Sequence, residues 1–150
     1  MYQKILVPID SSATSFRALD EACNLGRALD ITVYAVHVVD LTQVGLAGMG
    51  AADNLALRQS VSASSSAILA QAEEVVAQRG VAFEGKVLET NGEKIADVLM
   101  REAEASQCQL IIMGTQGLTG MKRLLLGSVA EGVVRQSVIP VMLVRQLEQA

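Results

Sequence analysis

Residues 109–128 read QLIIMGTQGLTGMKRLLLGS. The opening run, Gln109 to Gly114, is apolar and of strand length, too short for a core helix. A glycine-punctuated loop follows from Thr115 to Gly127. Ser128 and Glu131 then have the spacing of a capping box, which opens a helix to about Ser137. Ile139 to Arg145 (IPVMLVR) is a second strand-like run. Strand, helix and strand in this order form a βαβ unit, the connection that parallel strands require.

The same unit recurs towards the N-terminus. Lys4 to Asp10 (KILVPID) reads as a buried strand, with Pro8 suited to its end rather than its centre. Asp10, Ser11 and Ser12 offer rival N-caps for a helix over Ala13 to Leu29, where Phe16, Leu19, Ala22, Cys23 and Ala28 recur at near-helical spacing. Ile31 to Val39 (ITVYAVHVV) is β-branched and apolar. Asp40 to Asn54, with Gly45, Gly48 and Gly50, reads as a mobile loop, and within it Leu41 to Asp53 is either a lid or without order. A long helix runs from about Asn54 to Arg79, weakened by serines at 60, 62 and 64–66, and Gly80 ends it. Val81 to Glu89 alternates as a strand near a sheet edge. Thr90 and Glu93 form another capping box, before a helix to about Ser106.

The pattern is β-α-β-α-β-α-β-α-β in one domain, with no repeat and no linker. It predicts a Rossmann-like α/β fold, a parallel sheet with helices on both faces. Of the residues, 51% are hydrophobic and 19% charged, which suits a sheet covered on both sides. Ligands of such sheets sit beyond the carboxyl ends of the strands, so function is expected in Pro8 to Ser12, His37 to Asp40 and Gly114 to Ser128.

Net charge is −4 and aromatics are 3%, with no basic run, which argues against a nucleic-acid surface. Cys23 and Cys108 form no CxxC pair and read as free thiols of a reducing compartment. No signal peptide and no membrane span is expected, and the chain reads as cytoplasmic. His37, the single histidine, reads as a hydrogen-bonded core residue.

The chain carries neither GxxxxGK[ST] nor a GxGxxG after the first strand. The loop from Gly114 to Ser128 still offers phosphate chemistry. Glycines admit close backbone approach, and the N–H groups of a helix N-terminus favour an anion. Ser128, Lys122 and Arg123 could add a hydroxyl and positive charge. An alternative stays open: Ser128 and Glu131 as a purely structural cap, with Gly117 and Gly120 as turns.

The spacing Gly114-x2-Gly117-x9-Gly127-Ser128, together with KILVPID, HVVD, LIIMGTQG, LLLGSVAEGVV and IPVMLV, resembles the universal stress protein family, in its ATP-binding subgroup. The likeness spans essentially the whole chain. It implies a five-stranded parallel sheet of order 3-2-1-4-5 with ATP at its carboxyl end. It implies that Pro8 and Asp10 end the first strand, with Asp10 near the ribose or base, and that Val38 meets adenine through its backbone. Gly114, Gly117, Gly127 and Ser128 would bind ribose and phosphates, with Val129 flanking them and Mg2+ accompanying the phosphates. It implies a homodimer through the last strand, about Val141 to Val144. Gln116, which is neutral, is a departure, since many members carry a basic residue or a histidine nearby. The expected function is adenine-nucleotide binding in stress regulation. Slow ATP hydrolysis or autophosphorylation, or a nucleotide-independent protein-interaction module, are the alternatives.

Overall fold

The structure, a computed structural model, describes residues 1–42, 51–116 and 126–146. Strands and helices alternate: β1 (Lys4–Pro8), α1 (Ala13–Leu29), β2 (Thr32–Asp40), α2 (Ala51–Gln78), β3 (Phe83–Thr90), α3 (Ile95–Ala105), β4 (Leu110–Gly114), α4 (Ser128–Gln136) and β5 (Val141–Val144). All strand pairings are parallel, and the sheet order is β3-β2-β1-β4-β5, as the resemblance implied.

The period of two along each strand sorts side chains to two cores. Ile5, Val7, Val33, Ala35 and Ile112 face α1 and α2, where Leu19, Ala22, Ala72 and Val76 cover them. Leu6, Tyr34, Val36, Ile111 and Met113 face α3 and α4, against Leu99, Ala103 and Val133. Ile5, Leu6 and Val7 of the central strand are 0% exposed. Burying each such side chain contributes about 1.5–3 kcal/mol. Cys23 and Cys108 are free and buried, and burial pushes the Cys108 thiol up to about 11, so both stay protonated.

Local signals set most element ends. Ser12 caps α1, its Oγ accepting the Ser15 N–H at 3.2 Å. Gly80 follows α2 with φ +68°, a left-handed position. β3 lies at the sheet edge, as its alternation suggested. Two expectations are corrected. α2 begins at Ala51 rather than Asn54, and β2 extends to Asp40, so the intervening loop is shorter than Asp40 to Asn54. The lid reading of Leu41 to Asp53 falls mostly on residues 43–50, outside the described ones, and Ala51 to Asp53 belong to α2 instead. Thr90 and Glu93 make no capping box either. Thr90 closes β3 in register with Asp40 and donates to its Oδ1 at 3.3 Å, while Glu93 pairs with Arg101. The ladder claims Thr90, and α3 starts only after Lys94, with no side-chain cap.

Gly114, at the end of β4, is required by packing. A Cβ there would lie 2.7 Å from Thr14 Cγ2 and 3.2 Å from the Thr14 carbonyl carbon. The first turn of α1 thus rests directly on the β4 backbone. Gly114→Ala is expected to destabilise the chain by about 1–3 kcal/mol through overpacking, read as a lowered denaturation midpoint. Unchanged stability would show that α1 can move away.

Candidate functional site

The sheet opens at its carboxyl end for reasons visible in its peptide groups. In a parallel pair the N–H and C=O of one residue point to the same neighbour, and they alternate along the strand. Gln109 N–H donates to Lys4 O, so Lys4, Leu6 and Pro8 turn towards β4. Pro8 has no N–H to give. The β1–β4 register ends at Leu6↔Ile111, whereas β4 continues beside β5 to Gly114↔Val144. β1 and β4 therefore part at the point where the strand order switches direction, which is where open α/β sheets hold ligands. A cavity of about 560 Å³ lies there, a volume typical of small-molecule sites.

On the β2 side, Thr32 N–H donates to Gln3 O and Ile9 N–H to Val36 O, so even-numbered residues of β2 face β1. Val38 comes next, beyond the last β1–β2 pair, Pro8↔Val36. Among the described residues its N–H and C=O find no backbone partner, and Val38 lines the cavity. His37 Nδ1 lies 2.8 Å from the Ile9 carbonyl. A carbonyl only accepts, so Nδ1 carries the proton. His37 is hydrogen-bonded as expected, yet it is half-buried on the cavity wall rather than in the core.

At the far end stands α4. Its N-cap is Gly127, with no side-chain cap, and Ser128 is the first helical residue. The expected Ser128/Glu131 capping box is absent: Glu131 pairs with Arg135 at 2.6 Å, and the first helical bond is Glu131 N–H to Gly127 O at 2.9 Å. The N–H groups of Ser128, Val129 and Ala130 precede that bond and have no intrahelical acceptor. All three residues line the cavity. Gly127 N–H donates to Thr115 O at 2.7 Å, which fixes this terminus against the end of β4. A helix start presented this way attracts an anion. Among the described residues the lining holds Asp10, Asp40 and His37 but no lysine or arginine, and the α4 terminus turns its positive dipole end to it.

Asp10 is not the cap of α1. Its Oδ1 accepts the Ser12 N–H at 2.8 Å, and Ser12 does the capping. Ser15 Oγ then bonds the Asp10 and Ser12 carbonyls at 2.9 Å each. This network holds Asp10 on the cavity wall just beyond β1, whose last residue is Pro8.

Seven of the residues singled out from the sequence thus meet in one cavity: Pro8, Asp10, Val38, Gly114, Gly127, Ser128 and Val129. Gly117 lies outside the described residues, as do Gly120, Lys122 and Arg123. The sequence reading missed the other walls, Ile95 and Leu99 from α3 and Ser60, Ser64 and Ser65 from α2. The serine run was the available signal. Small residues there keep α2 from filling the crevice, but nothing in sequence says which of them face it.

A parallel sheet of this order, open between β1 and β4 with an uncapped helix start beside the opening, defines a doubly wound α/β protein with a built small-molecule cavity. The chain belongs to the universal stress protein family, whose model matches residues 1–145. It is 33% identical over 147 residues to universal stress protein MJ0531 of Methanocaldococcus jannaschii, covering 97% of this chain and 84% of that one. The structure of MJ0577 from the same organism superposes with a TM-score of 0.86 at 25% identity, over 99% of both chains. Two universal stress protein structures of the same fold were determined as complexes. One, with cAMP, has a TM-score of 0.68 at 23% identity over 96% of this chain and 97% of that one. The other, from Archaeoglobus fulgidus with dAMP, has a TM-score of 0.66 at 22% identity over 95% and 98%.

Proposed function

We propose that this chain, as one universal stress protein domain over residues 1–150, binds an adenine nucleotide, ATP, in the cavity at the carboxyl end of its sheet. The observation that carries the reading is that one cavity has a donor–acceptor peptide edge at Val38 and, at the start of α4, three N–H groups with no acceptor among the described residues. Adenine presents an acceptor ring nitrogen beside an amino donor, the complement of a peptide N–H beside a C=O. The phosphates complement the helix start. The ribose then spans the interval, beside Asp10 and Gly114. Pro8 holds the crevice open, Gly127 and Ser128 approach the phosphates with Gly117, and Val129 flanks them. The cAMP and dAMP complexes of two fold relatives make adenine the base to test first.

Among the described residues no group of three or more His, Cys, Asp or Glu side chains could hold a metal ion. Mg2+, where it accompanies the nucleotide, would be held chiefly by the phosphate oxygens and water. The role is that of a nucleotide-responsive stress regulator in the cytoplasm, since a ligand that binds only the folded or dimeric state stabilises that state by mass action. The test is to denature freshly purified protein and identify any released nucleotide, then titrate nucleotide-free protein with ATP and Mg2+ by calorimetry. Micromolar binding, about −8 kcal/mol, is expected. Folded protein that releases no nucleotide and gives no heat would reject the reading.

The same proposal includes a homodimer through β5. This strand is a sheet edge that carries exposed Met142, and Val134 of α4 and Val138 before the strand are exposed as well. Ile111 N–H donates to Pro140 O and Thr115 N–H to Val144 O, so even positions of β5, Met142 included, turn inward to β4. Val141 and Leu143 turn their peptide groups outward. Leu143→Pro is therefore expected to give folded monomers by light scattering, and Met142→Pro to damage the sheet itself. Dimers that survive Leu143→Pro would move the interface elsewhere.

A further inference from the structure

The hydrogen bond from His37 to Ile9 occupies a place in the ladder. The bonds from Thr32 N–H to Gln3 O, at 3.0 Å, and from Ile9 N–H to Val36 O, at 2.8 Å, set the β1–β2 register. Advancing that register by whole steps assigns the Val38 N–H to the Ile9 carbonyl. Instead, His37 Nδ1 sits 2.8 Å from that oxygen. The ladder stops, and the Val38 peptide edge is left to the cavity that both residues line.

We infer that His37 is a positioning residue for the ligand: by taking the Ile9 carbonyl it prevents β1 and β2 from zipping one step further and keeps the Val38 N–H and C=O available to the base. The inference rests on the adenine-nucleotide reading above. It differs from a staple that merely ties two strand ends, because it requires the freed N–H of Val38 to change partner when His37 is lost. A backbone donor left in a closing crevice takes the nearest acceptor.

The experiment follows the Val38 amide and ligand affinity in the full chain and two variants. His37→Leu removes the donor. His37→Asn keeps one, since the Asn amide nitrogen stands the same number of bonds from Cβ as Nδ1. In the parent, the Val38 amide should exchange rapidly with solvent hydrogen and slow when ATP is added. In His37→Leu it should be slow without ATP, with ATP affinity lowered about threefold to tenfold, the weight of one hydrogen bond. Inorganic triphosphate, followed through the amide shifts of Ser128, Val129 and Ala130, should bind the parent and His37→Leu alike. His37→Asn should behave as the parent.

Rapid Val38 exchange and parental ATP affinity in His37→Leu would overturn the inference and leave the nucleotide reading standing. So would an equal loss for triphosphate, which marks general damage. A parent chain that binds no ATP would overturn both.

Discussion

Gly127→Asp is expected to lower ATP affinity at least about a hundredfold without loss of stability, because one carboxylate takes over the orphan donors of α4 and repels the phosphates. Gly127 has φ −61° and ψ 161°, an extended conformation that any residue adopts, so backbone strain does not enter. Aspartate is a strong N-cap, and its gain over glycine is a few tenths of a kcal/mol. The two effects have opposite signs, which separates site chemistry from folding. Calorimetric titration with ATP and a urea melt of the same sample measure both. Parental affinity in a stable Gly127→Asp chain would remove the phosphates from the start of α4. A chain that lost both affinity and stability would point to an unforeseen packing role for Gly127.

Glu102→Ala is expected to destabilise the α3 face by about 3 kcal/mol, the cost of leaving hydroxyl donors there without their acceptor. The Glu102 side chain is 10% exposed and takes bonds from Tyr34 Oη at 2.5 Å, Ser106 Oγ at 2.7 Å and Lys86 Nζ at 3.2 Å. Removing it strands the buried Tyr34 hydroxyl and the Ser106 hydroxyl. Lys86, with half of its side chain exposed, is rehydrated at little cost. Burial alone would raise the Glu102 pKa, but the bonds from Tyr34, Ser106 and Lys86 outweigh it and hold the carboxyl below its ordinary 4.5. Burial and the bond to Glu102 push the Tyr34 pKa up, so the phenol keeps its proton.

The sign of the pH dependence follows. A depressed carboxylate pKa stabilises the fold above the unfolded value and loses that contribution as pH falls through the folded one. The stability gap between parent and Glu102→Gln should therefore be full at pH 7. It should begin to close below about pH 4.5, the unfolded carboxyl's range. A gap that stays constant down to pH 3 would mean that Glu102 contributes through shape rather than charge.

Caps were the least legible feature. Gly80 is readable because it acts within its own turn of chain, and the cap of α1 is legible only as one of three rivals, of which Ser12 serves. Thr90 and Ser128 are not readable, although their spacing to Glu93 and Glu131 is that of a cap. Thr90 is held by a ladder to Asp40, fifty positions away, and Glu131 is drawn to Arg135. Gly114 was read as a ligand glycine. It lines the cavity, yet its missing side chain is already accounted for by Thr14 of α1.

By itself the sequence determined the alternation of strands and helices, the edge position of β3 and the spacing of Gly114, Gly127 and Ser128, because apolar period and turn chemistry act over a few residues. Tertiary structure alone decided which peptide groups are left open at Val38 and α4, and which carboxylate is buried. Those outcomes depend on partners brought together across the sheet: His37 with Ile9, 28 positions apart, and Tyr34 with Glu102, 68 apart. Register between distant strands, and not the residues near each group, settles which hydrogen bonds are made inside the fold and which remain for a ligand.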